Sequence, residues 1–217
     1  MYTGNETLIN NGEYLQYSML NFWQWAYSNL ILNVSRGTFA EFIVKSALDK
    51  HGFTYNSEMK TGFEPYDLDG PIIPSLNRLS RLEVKSAAYV QLWDIKHPDR
   101  ASFSIAPAKL PDATGDFNDV APRQRNNDIY VFTLYTAKDR NRNILDLSWW
   151  QFYVIPTFMI ESDPILKKQK TISLKKVENM CDKLSFNNLC NGIIEACNSI
   201  PSWWKRDIVF TPTHPEN

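Results

Sequence analysis

The sequence predicts a single α/β domain, with a central mixed β-sheet flanked by helices and closed by a small helical tail. Three observations carry this expectation. Apolar residues recur at three-to-four spacing between residues 15 and 50, short strand-like runs follow between 63 and 155, and helical spacing returns after residue 165. Strands interleaved with helices, in a chain of 217 residues, describe one layered core with an appendage. The expected organisation is a core over residues 1–165 with N-terminal helices, and a helical extension over 166–217 packed on it.

In chain order, residues 1–13 are polar and read as a frayed terminus. From Leu15 to Leu32, Phe22, Trp23, Ala26, Tyr27, Leu30 and Ile31 keep a helical period. A second helix is expected from Gly37 to Lys50, with Ser35 as N-cap and Gly52 as the stop. Phe53-Thr54-Tyr55 can open a strand. Further strands are expected near 63–68, 80–87 and 102–106, with an Asp69-Gly70-Pro71 turn after the first. Residues 109–127, rich in Pro, Asp, Asn and Arg, read as a long loop. Ile129–Tyr135 is a strongly apolar strand, and Trp150–Ile155 is another that ends at Pro156. Leu174, Val177, Cys181 and Leu184 then share a helical register, followed by a helix from Phe186 to Asn198.

Composition narrows the function classes. Hydrophobic residues at 43% with seven Trp describe a folded protein with a sizeable core rather than a disordered chain. A formal net charge of −1 gives no bulk attraction for nucleic acid, so such a partner would have to be held by a local patch. Cys181, Cys190 and Cys197 are odd in number and lack C-x-x-C spacing, which reads as buried thiols rather than disulfides or metal ligands. No basic leader with an apolar core begins the sequence, and no apolar run approaches the ~18 residues of a membrane span, so a cytoplasmic location is expected.

The chemistry concentrates at Arg81-Leu82-Glu83-Val84-Lys85-Ser86. On a strand, Glu83 and Lys85 point to one face while Leu82 and Val84 point to the other. Upstream, Glu64-Pro65-Tyr66-Asp67-Leu68-Asp69-Gly70 can bring Asp67 alongside Glu83 on a second strand. Two carboxylates and a lysine can hold a hard cation and polarise a water.

With Glu41 on the preceding helix, the series Glu41, Asp67, Glu83-Val84-Lys85 resembles the PD-(D/E)xK nuclease superfamily. The likeness extends to Phe22-Trp23-Gln24-Trp25-Ala26, Arg36-Gly37-Thr38-Phe39-Ala40-Glu41, Tyr66-Asp67-Leu68 and the run Glu83 to Trp93, as in an uncharacterised bacterial branch of it. The resemblance implies a restriction endonuclease-like sheet and a Mg²⁺-dependent phosphodiesterase, with Mn²⁺ as substitute ion. It implies DNA as the partner, a restriction or defence role, and a possible homodimer. Asp67, Glu83 and Glu41 are the implied metal ligands. Lys85 would orient or help deprotonate the attacking water. Ser86, Tyr89 and Gln91 follow closely enough to touch substrate, and Arg123 and Arg125 in the long loop are candidate contacts for the phosphate backbone. The chain departs from the pattern where Tyr66, not Pro, precedes Asp67, and in the length of the connection between Asp67 and Glu83.

Plainer readings compete at each position. Glu41 and Lys45 stand at i, i+4 and can form a solvated pair worth ~0.2–0.5 kcal/mol. Glu83 and Lys85 can be polar residues on an open sheet face, and Asp69 competes with Asp67. His51, His97 and His214 are isolated. The aromatic stretch from Phe22 to Tyr27 is expected to pack in the core rather than stack bases, and the pairs Trp149-Trp150 and Trp203-Trp204 share that ambiguity. Lys167, Lys168, Lys170, Lys175 and Lys176 form a solvated face that could also meet phosphates. A catalytically silent nucleic-acid-binding or assembly module of the same fold, or an enzyme for another phosphate substrate, are the alternatives to a nuclease.

Overall fold

The computed structural model describes residues 2–56, 65–90, 100–109 and 123–205. An N-terminal hairpin of β1 (Thr7–Asn10) and β2 (Glu13–Ser18) leads into α1 (Met19–Tyr27) and then α2 (Asn33–Lys50). The strands β3 (Leu68–Ile73), β4 (Arg78–Ala88) and β5 (Ser102–Ser104) follow, then β6 (Ile129–Tyr135) and β7 (Trp150–Pro156). Next come α3 (Thr157–Ser162), β8 (Thr171–Ser173), α4 (Leu174–Glu178) and α5 (Phe186–Ser199). The protein is a mixed α/β structure whose four-stranded sheet has the order β3-β4-β6-β7. The β3–β4 and β6–β7 pairs are antiparallel, and β4–β6 is parallel.

Helices on one side and a small β5–β8 sheet on the other bury both faces of the large sheet, so every residue of β6 is buried and all but Thr133 are apolar or aromatic. On one face, Ala40, Ile43, Val44, Ala47 and Leu48 of α2 and Leu189, Cys190, Ile193 and Cys197 of α5 pack with Leu82, Val84, Ile129 and Val131. The opposite face gathers Phe103, Phe132, Tyr153, Ile155, Ile172 and Val177. The C-terminal helix α5 is thus a wall of the core. Cys190 and Cys197 are buried free thiols and Cys181 is a half-buried one. Among the described residues no helix is long and apolar enough to cross a membrane.

Several expectations need correcting. The N-terminal residues form a hairpin rather than a frayed end, and α1 is shorter than the 15–32 span. None of its residues is buried, and Trp25 is 82% exposed. Helical spacing correctly marks an apolar face but does not supply anything to cover it. Helix α2 begins at Asn33, which puts Ser35 inside the helix and leaves Leu32 at the N-cap; Gly52, at φ 84°, does end it. Asp69-Gly70-Pro71 lies within β3, and the turn falls later, at 74–77. Because β3 is an edge strand with a register shift between Gly70 and Ile72, Pro71 needs no ladder N–H there. The helical register over Leu174–Leu184 yields only the short α4. Trp150 and Trp204 are buried, whereas Trp203 is exposed.

Candidate active site

The site forms where β3 begins. Asp67 immediately precedes the strand, and its backbone N–H donates to the Leu82 carbonyl at 2.9 Å. Its Oδ2 accepts from the backbone N–H of Val84 at 2.7 Å, which holds the carboxylate against β4 between Glu83 and Lys85. Pairing of β3 with β4 starts at Leu68↔Leu82. Beyond that point, among the described residues, β4 has a strand partner only on the β6 side, with Glu83 opposite Tyr130 and Lys85 opposite Phe132. Among the described residues, one edge of the charged stretch thus has no strand partner.

Glu83 and Lys85 share a face and form an ion pair through Oε1 and Nζ. Glu41 reaches the same place from α2. Burial pushes its carboxyl up to about 7, with the Asp67 charge adding to the rise, Lys85 opposing it and Glu83 raising it further. Burial also raises Glu83, where the nearby Asp67 adds to the effect and Lys85 offsets part of it. For Lys85, burial acts to lower the pKa, but Glu83, Asp67 and Glu41 together hold it above the usual lysine value. Lys85 is therefore an ammonium at neutral pH, among three carboxyl groups.

The i, i+4 partner of Glu41 is otherwise engaged, since Lys45 pairs with Asp49. Asp69 is set apart from Asp67: its Oδ1 accepts from the Tyr66 hydroxyl at 2.9 Å, and its backbone N–H and carbonyl both bond to Asn56.

The remaining predicted residues do not all join the site. Ser86 faces the α2 side of β4, where its hydroxyl accepts from Arg36 Nε at 3.4 Å. Tyr89 packs on the second core, and its ring lies 5.9 Å from Lys138 Nζ. Arg123 is exposed, while Gln91, His97 and His214 lie outside the described residues. Arg125 does not offer its charge to a phosphate backbone. Its side chain is 1% exposed, pairs with Glu161 at 2.7 Å and donates to the carbonyls of Ile105, Leu166, Lys167 and Gln169. Lys176 pairs with Asp163 at 3.0 Å, and Lys167, Lys168, Lys170 and Lys175 are exposed.

Sequence reasoning gave no role to Arg36, which is 2% exposed. A signal existed: Arg36, Ala40 and Val44 recur at i+4 spacing, so the apolar stripe of α2 carries a cation at its first position. Asp128, fully buried between Arg78 and Arg81, also passed unnoticed.

The donor set suits a hard divalent ion in chemistry, since carboxylate oxygens are its usual ligands, and the carboxyls of Glu41 and Glu83, raised chiefly by burial with the Asp67 charge adding to both, would be favoured in their charged form beside a dication. Among the described residues, no three His, Cys, Asp or Glu side chains are arranged as a ready ion cage. Glu83 turns to Lys85, and Asp67 is held by Val84. No family model, curated protein or solved structure matches the chain.

Proposed function

We propose that the protein is a divalent-cation-dependent phosphodiesterase, a nuclease of the PD-(D/E)xK kind acting on DNA. The observation that carries this reading is the approach of Glu41 from α2, Asp67 from the start of β3, and Glu83 and Lys85 from β4, beside a strand edge with no strand partner among the described residues, where all three carboxyl groups act on Lys85 and Asp67 raises both glutamates. Hydrolysis of a phosphodiester builds negative charge on the phosphoryl, attacking and leaving oxygens. Mg²⁺ or Mn²⁺, held by Asp67, Glu83 and Glu41, would neutralise that charge when bound. Lys85, already a cation, donates a hydrogen bond to the attacking water or to a phosphoryl oxygen and so orients the attack rather than removing the proton. Asp67 keeps its place through the Val84 amide. Glu83, now paired with Lys85, would turn to the ion when one is held, and the Lys85 ammonium would then be available to the substrate.

One observation favours a second reading, a catalytically silent nucleic-acid-binding module of the same fold: Glu83 and Lys85 already satisfy one another without an ion. A single experiment separates the two. The purified protein is incubated with DNA or RNA and Mg²⁺ or Mn²⁺, beside Glu83→Gln and Lys85→Ala. A nuclease cleaves and both variants lose turnover; binding without cleavage by all three proteins identifies the silent module.

A further inference from the structure

Arg36 stands at the start of α2 with its guanidinium buried, and every acceptor it has is neutral. Nε donates to Ser86 Oγ at 3.4 Å, Nη1 to the Ile31 carbonyl at 3.1 Å and Nη2 to Asn33 Oδ1 at 2.7 Å. A guanidinium has five N–H donors, so one on each terminal nitrogen remains beyond these three. Among the described residues no carboxylate pairs with it, in contrast to Arg125 with Glu161 and to Arg78 and Arg81 with Asp128. Burial alone pulls its pKa below the usual arginine value. The position compounds the cost. The N-terminal end of an 18-residue helix already carries partial positive charge, and no acidic residue occupies its first turn. A buried cation here is expensive unless an anion completes it.

A cavity lies beside it. Among the described residues Arg36, Arg140 and Arg142 line it with Asp139, and apolar side chains such as Tyr135 and Ile144 form the walls. Asp139 is matched by Arg142 at 3.4 Å, which leaves the Arg36 charge in the lining without a carboxylate partner among the described residues. Its volume of about 40 Å³ is room for about three waters or the head of one oxyanion. It lies along β4 and α2 from the candidate active site. Ser86, which accepts from Arg36, follows Lys85 on β4 with its side chain on the opposite face of the strand, and Glu41 follows Arg36 on α2 by five residues, roughly 7–8 Å along the helix axis.

We propose that this cavity is an oxyanion site that holds a phosphate group of the nucleic-acid strand, neighbouring the phosphate placed at Glu41, Asp67, Glu83 and Lys85. The identity of the strand rests on the nuclease reading; the binding of phosphate does not. The site also answers the overall charge of −1, because the contact is made by a pocket rather than by a basic surface.

The test compares thermal unfolding of the full chain in chloride and in 10 mM inorganic phosphate at equal ionic strength. With millimolar affinity, phosphate raises the melting temperature by about 3–6 °C. Arg36→Met, which removes the buried charge, is expected to melt no lower than the unchanged protein in chloride and to lose the phosphate response. If that variant fails to fold, Arg36→Lys keeps the charge but not the fork, and weakens phosphate binding by about tenfold. No phosphate response in the unchanged protein, or an undiminished one in either variant, overturns the site. Cleavage assays complete the comparison: Arg36→Met raises KM for a DNA oligonucleotide about tenfold with little change in kcat, while Glu83→Gln abolishes cleavage and keeps the phosphate response. A phosphate response in a protein that never cleaves retains the pocket and removes the nuclease. Cleavage with an unchanged KM in Arg36→Met does the reverse.

Discussion

Asp67 is bound to the backbone of the strand that carries the other charges, its Oδ2 accepting the Val84 N–H at 2.7 Å. That amide joins Glu83 to Lys85 through a single residue, so one hydrogen bond sets the position of Asp67 relative to both. It also separates Asp67 from Asp69, whose carboxylate is taken by the Tyr66 hydroxyl on the β3 side.

Asp67→Asn is accordingly expected to lower metal-dependent cleavage by roughly 10²–10³-fold, the scale of one lost transition-state charge contact. Asp69→Asn is expected to change it less than about threefold. Equal losses in a single-turnover assay would place the ligand elsewhere on β3.

Glu41→Gln should stabilise the metal-free protein at neutral pH. The Glu41 carboxyl titrates near 7 when folded against an ordinary value of 4.5. Its contribution is fully present below pH 4.5 and is lost as pH rises through 7. The glutamine variant therefore gains relative stability over that window, by roughly 1–2 kcal/mol once solvent screening of a partly exposed group is allowed for. Urea unfolding at pH 4.5 and pH 8 checks the sign, and the difference should shrink when Mg²⁺ is added.

Asp128 predicts the opposite pH dependence. Burial favours its neutral form, but hydrogen bonds from Arg78 and Arg81 outweigh that and hold the carboxyl below the usual range. Its stabilisation is present above the ordinary aspartate value and lost as pH falls through the lower folded one. Asp128→Asn leaves two arginines without their anion and is expected to cost about 3 kcal/mol at neutral pH, measured by denaturant unfolding.

Tryptophan positions separate the arm from the core. Trp25→Ala is expected to change stability by less than about 0.5 kcal/mol, whereas Trp150→Ala, which also loses the indole bond to the Ile144 carbonyl, should cost about 3–5 kcal/mol. Iodide quenching of the Trp25 variant should fall relative to the unchanged protein, because an exposed indole has been removed.

What the sequence made legible was pattern, and what it concealed was partnership. Ile129–Tyr135 could be recognised as a strand because both faces are covered and its residues are apolar or aromatic except Thr133. Strand alternation likewise puts Glu83 and Lys85 on one face, where they pair, and Lys85 feels the charges of Asp67 and Glu41. Burial of Arg125 could not be seen, because its partners are four carbonyls and Glu161, supplied by chain segments up to 44 residues away. Phe22–Tyr27 misled for the converse reason. An apolar helical face is visible locally, but whether other elements bury it is decided by the fold, and none of the α1 residues is buried. Asp69-Gly70-Pro71 misled because turn-forming residue types also fit an edge strand with a register shift, which is where they lie.

The parallel partnership of β4 and β6 has a temporal side. Thr133 meets the Lys85 carbonyl across 48 residues of chain, which a ribosome takes roughly 2–10 seconds to add. During that interval a nascent chain can pair β3 with β4 and bring Asp67 to Val84, while the other edge of β4 and the apolar side chains Leu82 and Val84 still await β6. The charged stretch is thus threaded through a strand whose second edge stays uncovered for that interval. The charges of Glu83 and Lys85, whatever they do in the finished protein, act in those seconds as gatekeepers against edge-to-edge association of unfinished chains.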